Sequence, residues 1–151
     1  MDCFEVLRKN SITQGMLDDE VKKLGELFHR KNAKKGTIII KEGEKSSELF
    51  VIDTGRVSVQ VLSTQLPSEK EIITYLKDGD VIGEFSFIDA APRSATVVAE
   101  EDTRLFYANY LDLHRFLDKN EHIGFLFYKN ISKILTSKLR NMNLGMRDAL
   151  L

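Results

Sequence analysis

The feature that most constrains the fold is a series of short apolar segments between residues 36 and 108. Val57, Val59 and Val61 alternate with polar residues, which is the period-two pattern of a half-buried strand. Glycine and other turn residues separate these segments, and no helical pattern of ten or more residues lies between them, which disfavours parallel βαβ units. The pattern favours a closed or two-sheet β roll. The predicted strands are residues 37–41, 49–53, 56–62, 71–76, 95–100 and 104–108.

Helical periodicity flanks this β-rich region on both sides. We predict an N-terminal helical segment over residues 1–35 and two C-terminal helices over 109–147, with Asn109 and Asn120 as their N-caps. The last helix is apolar on more than one face. One face can pack on the roll, and the other is predicted to pair with a second copy of the chain as a homodimer. The residues left for that second contact are Tyr128, Leu135 and Met142.

Composition and charge exclude several classes of protein. The 151 residues suit a single domain, predicted over 1–151, and 22 basic against 23 acidic residues give no electrostatic footprint for nucleic acid. One cysteine excludes an internal disulfide framework. No long apolar run or secretory signal is visible, so we expect a soluble cytoplasmic protein without a membrane partner.

The segment 83–97 carries the most chemical information. Gly83 allows close backbone approach to a ligand, and the short helix predicted after it presents unpaired N–H groups that favour an anion. Arg93 offers a planar fork of donors that suits a phosphate, and Ser94 adds a hydroxyl. Glu84 would repel a phosphate, but it can accept a hydrogen bond from a sugar hydroxyl. Together these groups indicate a nucleotide monophosphate site.

This segment resembles the phosphate-binding cassette of the cyclic nucleotide-binding domain family. The resemblance extends through residues 36–44, 49–59 and 75–80, and the sequence is most similar to the ligand-sensing domain of bacterial catabolite activator-type regulators. It implies a mainly β, α+β fold. In that fold an eight-stranded antiparallel, jelly-roll-like β roll over residues 36–108 contains the cassette and is closed by helices.

The resemblance also implies a function and a set of ligand contacts. Glu84 would bind the ribose 2′-hydroxyl, and Arg93 with Ser94 would hold the cyclic phosphate. The remaining candidate ligand-binding residues are Gly83, Ala95, Val59, Ile73, Phe85 and Ser86. We expect a non-enzymatic sensor without metal or further cofactor. It would bind cyclic AMP in preference to cyclic GMP and move its C-terminal helix for an unidentified protein partner.

The sequence departs from the family pattern at three places. Phe85 and Phe87 stand where smaller residues are common, and Ala90–Ala91 lacks the glycine often present in that loop. The chain ends at Leu151, whereas the activator-type regulators continue into a helix-turn-helix domain. The resemblance therefore carries ligand binding to this chain but not DNA binding.

Several alternatives remain open on the sequence. The fold could serve as a ligand-free protein interaction module, which Phe85 and Phe87 would favour by filling the cavity. A metal-dependent cupin-like enzyme is disfavoured because all three histidines, His29, His114 and His122, fall in predicted helices.

Individual side chains also allow a purely structural interpretation. Glu84 and Arg93 could simply pair with each other at the surface. The basic residues of the last helix, Lys138 among them, are predicted to form a solvated face. Thr136 and Ser137 of that helix could read a base edge, but solvated hydroxyls account for them better.

Overall fold

The computed structural model describes residues 2–63, 65–66 and 68–150, with side chains through residue 142. Within this part of the chain the α-helices are α1 (Cys3–Arg8), α2 (Asp18–Gly25), α3 (Glu84–Asp89), α4 (Tyr110–Lys119) and α5 (Glu121–Leu150), and a 3-10 turn spans Ser11–Thr13. The strands are β1 (His29–Ala33), β2 (Ile38–Ile40), β3 (Glu48–Thr54), β4 (Arg56–Leu62), β5 (Lys70–Lys77), β6 (Val81–Ile82), β7 (Thr96–Ala99) and β8 (Thr103–Asn109).

The eight strands form two antiparallel sheets of four. Their orders are β1-β8-β3-β6 and β2-β7-β4-β5. Alternate residues of each sheet meet in one apolar cluster, in which Ile52, Val57 and Leu105 are fully buried. A second cluster lies between the first sheet and the helices and includes Val51, Phe87 and Phe127. This arrangement confirms the predicted mainly β, eight-stranded antiparallel roll with N-terminal and C-terminal helices.

The prediction of a helical segment up to residue 35 is wrong at its end. Helix α2 stops at Gly25, and His29–Ala33 form the edge strand β1, which pairs with β8. Four of the five β1 residues are exposed, so this strand shows no alternating apolar pattern in the sequence. Its hydrogen bonds to β8 determine its conformation, and side-chain periodicity cannot reveal them.

The two predicted helix caps have different outcomes. The Asn109 side chain accepts a hydrogen bond from the Leu111 N–H at 2.9 Å, which confirms it as the N-cap of α4. The Asn120 side chain instead donates to the Phe116 carbonyl at 2.9 Å. Asn120 therefore precedes α5 as predicted, and its backbone carbonyl accepts from the Gly124 N–H at 2.8 Å, but its side chain closes the end of α4 and does not bond to the first turn of α5.

More of the surface of helix α5 packs against the rest of the protein than the sequence predicts. Tyr128 stacks on Phe87 with ring centroids 5.9 Å apart and shares a 3.1 Å hydrogen bond with His114. Leu135 is partly buried against the same helical cluster. The prediction that both are free for another helix is therefore wrong. Met142 is 59% exposed and remains available.

The first half of α5 is fixed to the N-terminal segment by one buried amide. The Asn130 side chain is 3% exposed and donates to the carbonyls of Ile12 at 2.9 Å and Gln14 at 3.0 Å. Both carbonyls belong to the region around the 3-10 turn. A buried amide satisfied in this way gives the helix a defined register against that turn.

Candidate functional site

The segment between β6 and β7, residues 83–95, begins with a glycine that the geometry requires. Gly83 has φ of 89°, and α3 starts at the next residue, as the sequence predicts. A Cβ at this position would lie 2.7 Å from Arg93 Nη1 and 2.9 Å from the Glu48 carbonyl oxygen. Only glycine combines this left-handed backbone with so close an approach.

Arg93 is buried and bonded through all three of its guanidinium nitrogens. Its Nε donates to Ser46 Oγ at 2.7 Å, and its Nη2 donates to the Glu48 carbonyl at 2.8 Å. Its Nη1 donates to the Tyr110 hydroxyl and, more weakly, to the Gly83 carbonyl at 3.4 Å. The Glu48 carboxylate lies 3.7 Å from Nη2 and balances the charge. The side chain therefore joins the β2–β3 loop, the start of α3 and the start of α4.

Tyr110 is a second connection in this site. Its hydroxyl accepts from Arg93 and donates to the Gly83 carbonyl. Burial raises the pKa of this phenol to about 12, although Arg93 acts in the opposite direction. Sequence reasoning missed Tyr110, Ser46 and Glu48, because residues 17 and 45–47 positions from Arg93 give no spacing signal.

Glu84 meets a cation from the last helix. Its side chain is 3% exposed and forms an ion pair with Lys138 Nζ, which also donates to the Val81 carbonyl at 3.2 Å. The same ammonium lies 5.7 Å from the centroid of the Phe85 ring. The alternative in which Glu84 and Arg93 pair with each other is wrong, because each has a different partner.

The assignment of Lys138 to a solvated face is also wrong. Only 31% of its side chain is exposed, and its ammonium is directed at the cassette. Thr136 and Ser137 are exposed, and the Thr136 hydroxyl donates to the Ser132 carbonyl at 2.8 Å within the same helix. The sequence did show several basic residues on this helix, but it did not indicate which of them faces Glu84.

The other residues predicted to contact a ligand lie in segment 83–95 and on strands β4 and β5. Ser94 is exposed, Ala95 is half-buried and Ser86 is buried, whereas the Phe85 side chain is 46% exposed.

Val59 on β4 is half-buried in the roll and pairs with Thr74. The register then shifts, because Gln60 pairs with Ile72 and leaves Ile73 without a partner on β4. Ile73 is 58% exposed at this irregularity.

Phe87 packs outside the roll and into the helical cluster. Its ring is stacked on His114 at 4.3 Å and contacts Phe127 edge-on at 5.7 Å. Phe87 therefore connects α3 to α4 and α5 instead of filling the interior between the sheets. The Phe85 ring is exposed to solvent, so the alternative in which these two rings fill the cavity is not supported.

Among the residues that the structure describes, no three His, Cys, Asp or Glu side chains come together as a metal site. His29 lies on strand β1, so the argument that all three histidines fall in helices is wrong for this residue. Its ring lies 5.4 Å from that of Tyr107, and His114 and His122 lie on α4 and α5. Across the same residues, no helix combines the length and apolarity needed to cross a membrane.

Comparison with known proteins gives consistent matches. The family model for the cyclic nucleotide-binding domain matches residues 30–120. The chain is 28% identical over 143 residues to the cyclic AMP receptor protein of Thermus thermophilus, covering 93% of this chain and 62% of that protein. It is also 28% identical over 137 residues to human cGMP-dependent protein kinase 2, covering 91% of this chain and 17% of the kinase. The chain thus spans less than two thirds of either relative.

A solved structure extends the similarity to the whole fold. A cyclic nucleotide-binding domain from Methylobacillus flagellatus KT superposes with a TM-score of 0.89 at 24% identity, covering 98% of this chain and 84% of that one. At 24% identity this match supports similarity of the fold alone.

Proposed function

Because the chain belongs to the cyclic nucleotide-binding domain family, we propose that it is a non-enzymatic sensor that binds a cyclic nucleotide, with cyclic AMP preferred to cyclic GMP. One observation carries the proposal. A buried carboxylate stands on Glu84, the first residue of α3, and the buried guanidinium of Arg93 donates to the carbonyl of Gly83, the residue just before it. A ribose hydroxyl and a phosphate on one small ligand would require this pair of groups.

The proposed contacts follow the chemistry of each group. Glu84 accepts from the ribose 2′-hydroxyl, and Arg93 with the exposed Ser94 binds the phosphate. Ala95, Gly83 and Ser86 bring the backbone of the cassette to the ligand, while Val59, Ile73 and Phe85 contact the sugar and base. Four of the five N–H donors of Arg93 have a protein partner, so a phosphate that takes more than one hydrogen bond from this side chain exchanges at least one of these bonds.

The same contacts provide a route from the ligand to the helices. Tyr110 ties Gly83 to α4, and Phe87 ties α3 to both α4 and α5. A shift of the cassette on binding would therefore favour a different position of α5, and a protein partner would sense this population shift. We further propose a homodimer through α5, because Leu139 and Met142 are more than half exposed on that helix.

Calorimetric titration of the purified domain with cyclic AMP and then cyclic GMP tests the proposal. Micromolar or tighter binding to cyclic AMP, with weaker binding of cyclic GMP, is the expected result. The reverse order would retain the sensor and overturn the base preference. If the folded protein binds neither nucleotide, the proposal that it is a cyclic nucleotide sensor is overturned.

The second candidate is a ligand-free interaction module with the same fold. The observation in its favour is that Glu84 and Arg93 are almost fully buried and already satisfied by protein partners. The positions of Phe85 and Phe87 do not favour it, because neither ring fills the interior of the roll. A silent titration would make this candidate the better one.

A further inference from the structure

The ion pair between Glu84 and Lys138 joins two elements that are far apart in the sequence. Glu84 is the first residue of α3, and Lys138 lies 54 positions later in the second half of α5. The ammonium bonds both the carboxylate and the Val81 carbonyl at the end of β6. The second half of α5 is thereby held directly over the start of the cassette.

The two members of this ion pair differ in solvent exposure. The Glu84 side chain is 3% exposed, whereas 31% of the Lys138 side chain is in contact with solvent. Lys138 is therefore the outer member of the pair. Its ammonium occupies Oε1 of the Glu84 carboxylate, so a sugar hydroxyl that bonds this oxygen competes with it.

Without ligand, the buried carboxylate of Glu84 needs a cation to balance its charge. A buried carboxylate is destabilising unless it has a charged partner or enough donors. Arg93 does not supply that charge, since its nitrogens are bonded to Ser46, Glu48 and Tyr110. In the absence of ligand, Lys138 is the cation that neutralises Glu84.

We propose that Lys138 is an intramolecular competitor for Glu84 and latches the second half of α5 onto the empty cassette. Ligand binding displaces the ammonium, and the hydroxyl donor takes its place. The displaced helix end then leaves the cassette. The latch itself is a property of the protein alone, while its displacement by ligand depends on the proposed function.

The latch is tested first without any ligand. Hydrogen exchange of the α5 amides around residues 133–142 is measured for the unmodified protein, K138Q and the matched control K133Q, which alters an exposed lysine of the same helix. We expect at least tenfold faster exchange in this region for K138Q and unchanged exchange for K133Q. The amides near Asn130 should not change in either variant and serve as an internal reference. Equal exchange in K138Q and the unmodified protein would overturn the latch.

Two further variants separate the charge pair from general packing. E84Q removes the other charge and should also accelerate exchange around residues 133–142. K138R keeps a cation and should restore slow exchange. Fast exchange in K138R together with slow exchange in E84Q would show that chain packing, not the ion pair, holds the helix.

Competition is tested by titrating the unmodified protein and K138Q with cyclic AMP and cyclic GMP. We expect at least tenfold tighter binding of the preferred nucleotide to K138Q, because no ammonium must be displaced. Equal binding would overturn the competitor role, and weaker binding would overturn it and make Lys138 a ligand contact. Silence of both proteins to both nucleotides, with faster exchange in K138Q, would overturn the proposed function and leave the latch supported.

Discussion

The hydroxyl of Tyr110 donates to the carbonyl of Gly83, so the first residue of α4 is bonded to the residue that opens the cassette. The same hydroxyl accepts from Arg93, which places one oxygen between two functional positions. Both bonds are partly buried, where hydrogen bonds are costly to leave unmade. Tyr110 therefore organises the cassette without being one of the groups proposed to contact the ligand.

Replacing Tyr110 by Phe should lower the free energy of unfolding by about 1–3 kcal/mol, because the Gly83 carbonyl loses the phenol donor and Arg93 Nη1 loses the phenol acceptor, which leaves only a long bond between the two. Urea denaturation measures the change. Tyr75→Phe is the matched control, since this tyrosine is 45% exposed on β5 and should change stability by less than about 0.5 kcal/mol. Equal effects of the two substitutions would contradict the role of the Tyr110 hydroxyl.

The same tyrosine predicts a pH dependence at the alkaline end. Burial raises its pKa from the ordinary value of 10 to about 12, so the folded protein holds this proton more tightly than the unfolded chain does. The resulting stabilisation is complete below about pH 10 and is lost as the pH rises towards 12. Unfolding measured across this range should show a steeper decline for the unmodified protein than for Tyr110→Phe.

Replacing Arg93 by Ala should weaken cyclic nucleotide binding by about 2–4 kcal/mol, the scale for losing a charge-assisted phosphate partner. It should also reduce stability, because Ser46, Glu48 and Tyr110 lose a shared buried donor. Titration and thermal unfolding measure the two effects separately. Arg115→Ala, on an exposed arginine of α4, is the control. Unchanged affinity in Arg93→Ala would remove Arg93 from the phosphate site.

Replacing Ala90 by Gly should stabilise the protein by about 1 kcal/mol. Ala90 ends α3 with φ of 58°, the only positive φ among the described non-glycine residues. A side chain in this left-handed region costs about 1–2 kcal/mol, offset in part by the greater freedom of glycine in the unfolded chain. Ala91→Gly is the matched control and should not stabilise. A loss of stability in Ala90→Gly would contradict the strain at this position.

Substituting Glu for Leu139 or Met142 should weaken the proposed homodimer, because a charge would enter an apolar contact between two copies of α5. Sedimentation at tens of micromolar is the measurement. Leu111→Glu changes a similarly exposed residue on α4 and should leave the oligomeric state unchanged. A monomer in the unmodified protein would contradict the homodimer.

Local patterns made much of the fold predictable. The Val57, Val59 and Val61 alternation, the glycine turns and the Asn109 cap each depend on residues close in sequence, and each agrees with the structure. Strand β1 was missed because it has almost no buried side chain. Its conformation comes from hydrogen bonds with β8, 70 to 78 residues later.

In the functional site, too, local features were predicted and contacts between distant segments were not. The close backbone approach at Gly83 and the short helix that begins at Glu84 follow from adjacent residues and were predicted. The partners of Arg93 and the approach of Lys138 to Glu84 connect segments 17 to 54 positions apart. No periodicity in the sequence encodes such contacts, so they became visible only in the folded chain.

The two buried carbonyls bonded by Asn130 make that residue a fulcrum for the rest of α5. Twelve residues separate Asn130 from Met142, which at about 1.5 Å per residue gives a lever arm of about 18 Å. A tilt of about 10° at the fulcrum would carry the Met142 end through about 3 Å. A displacement of one ammonium from one carboxylate can thus be converted into a movement as large as a side-chain contact at the far end of the helix.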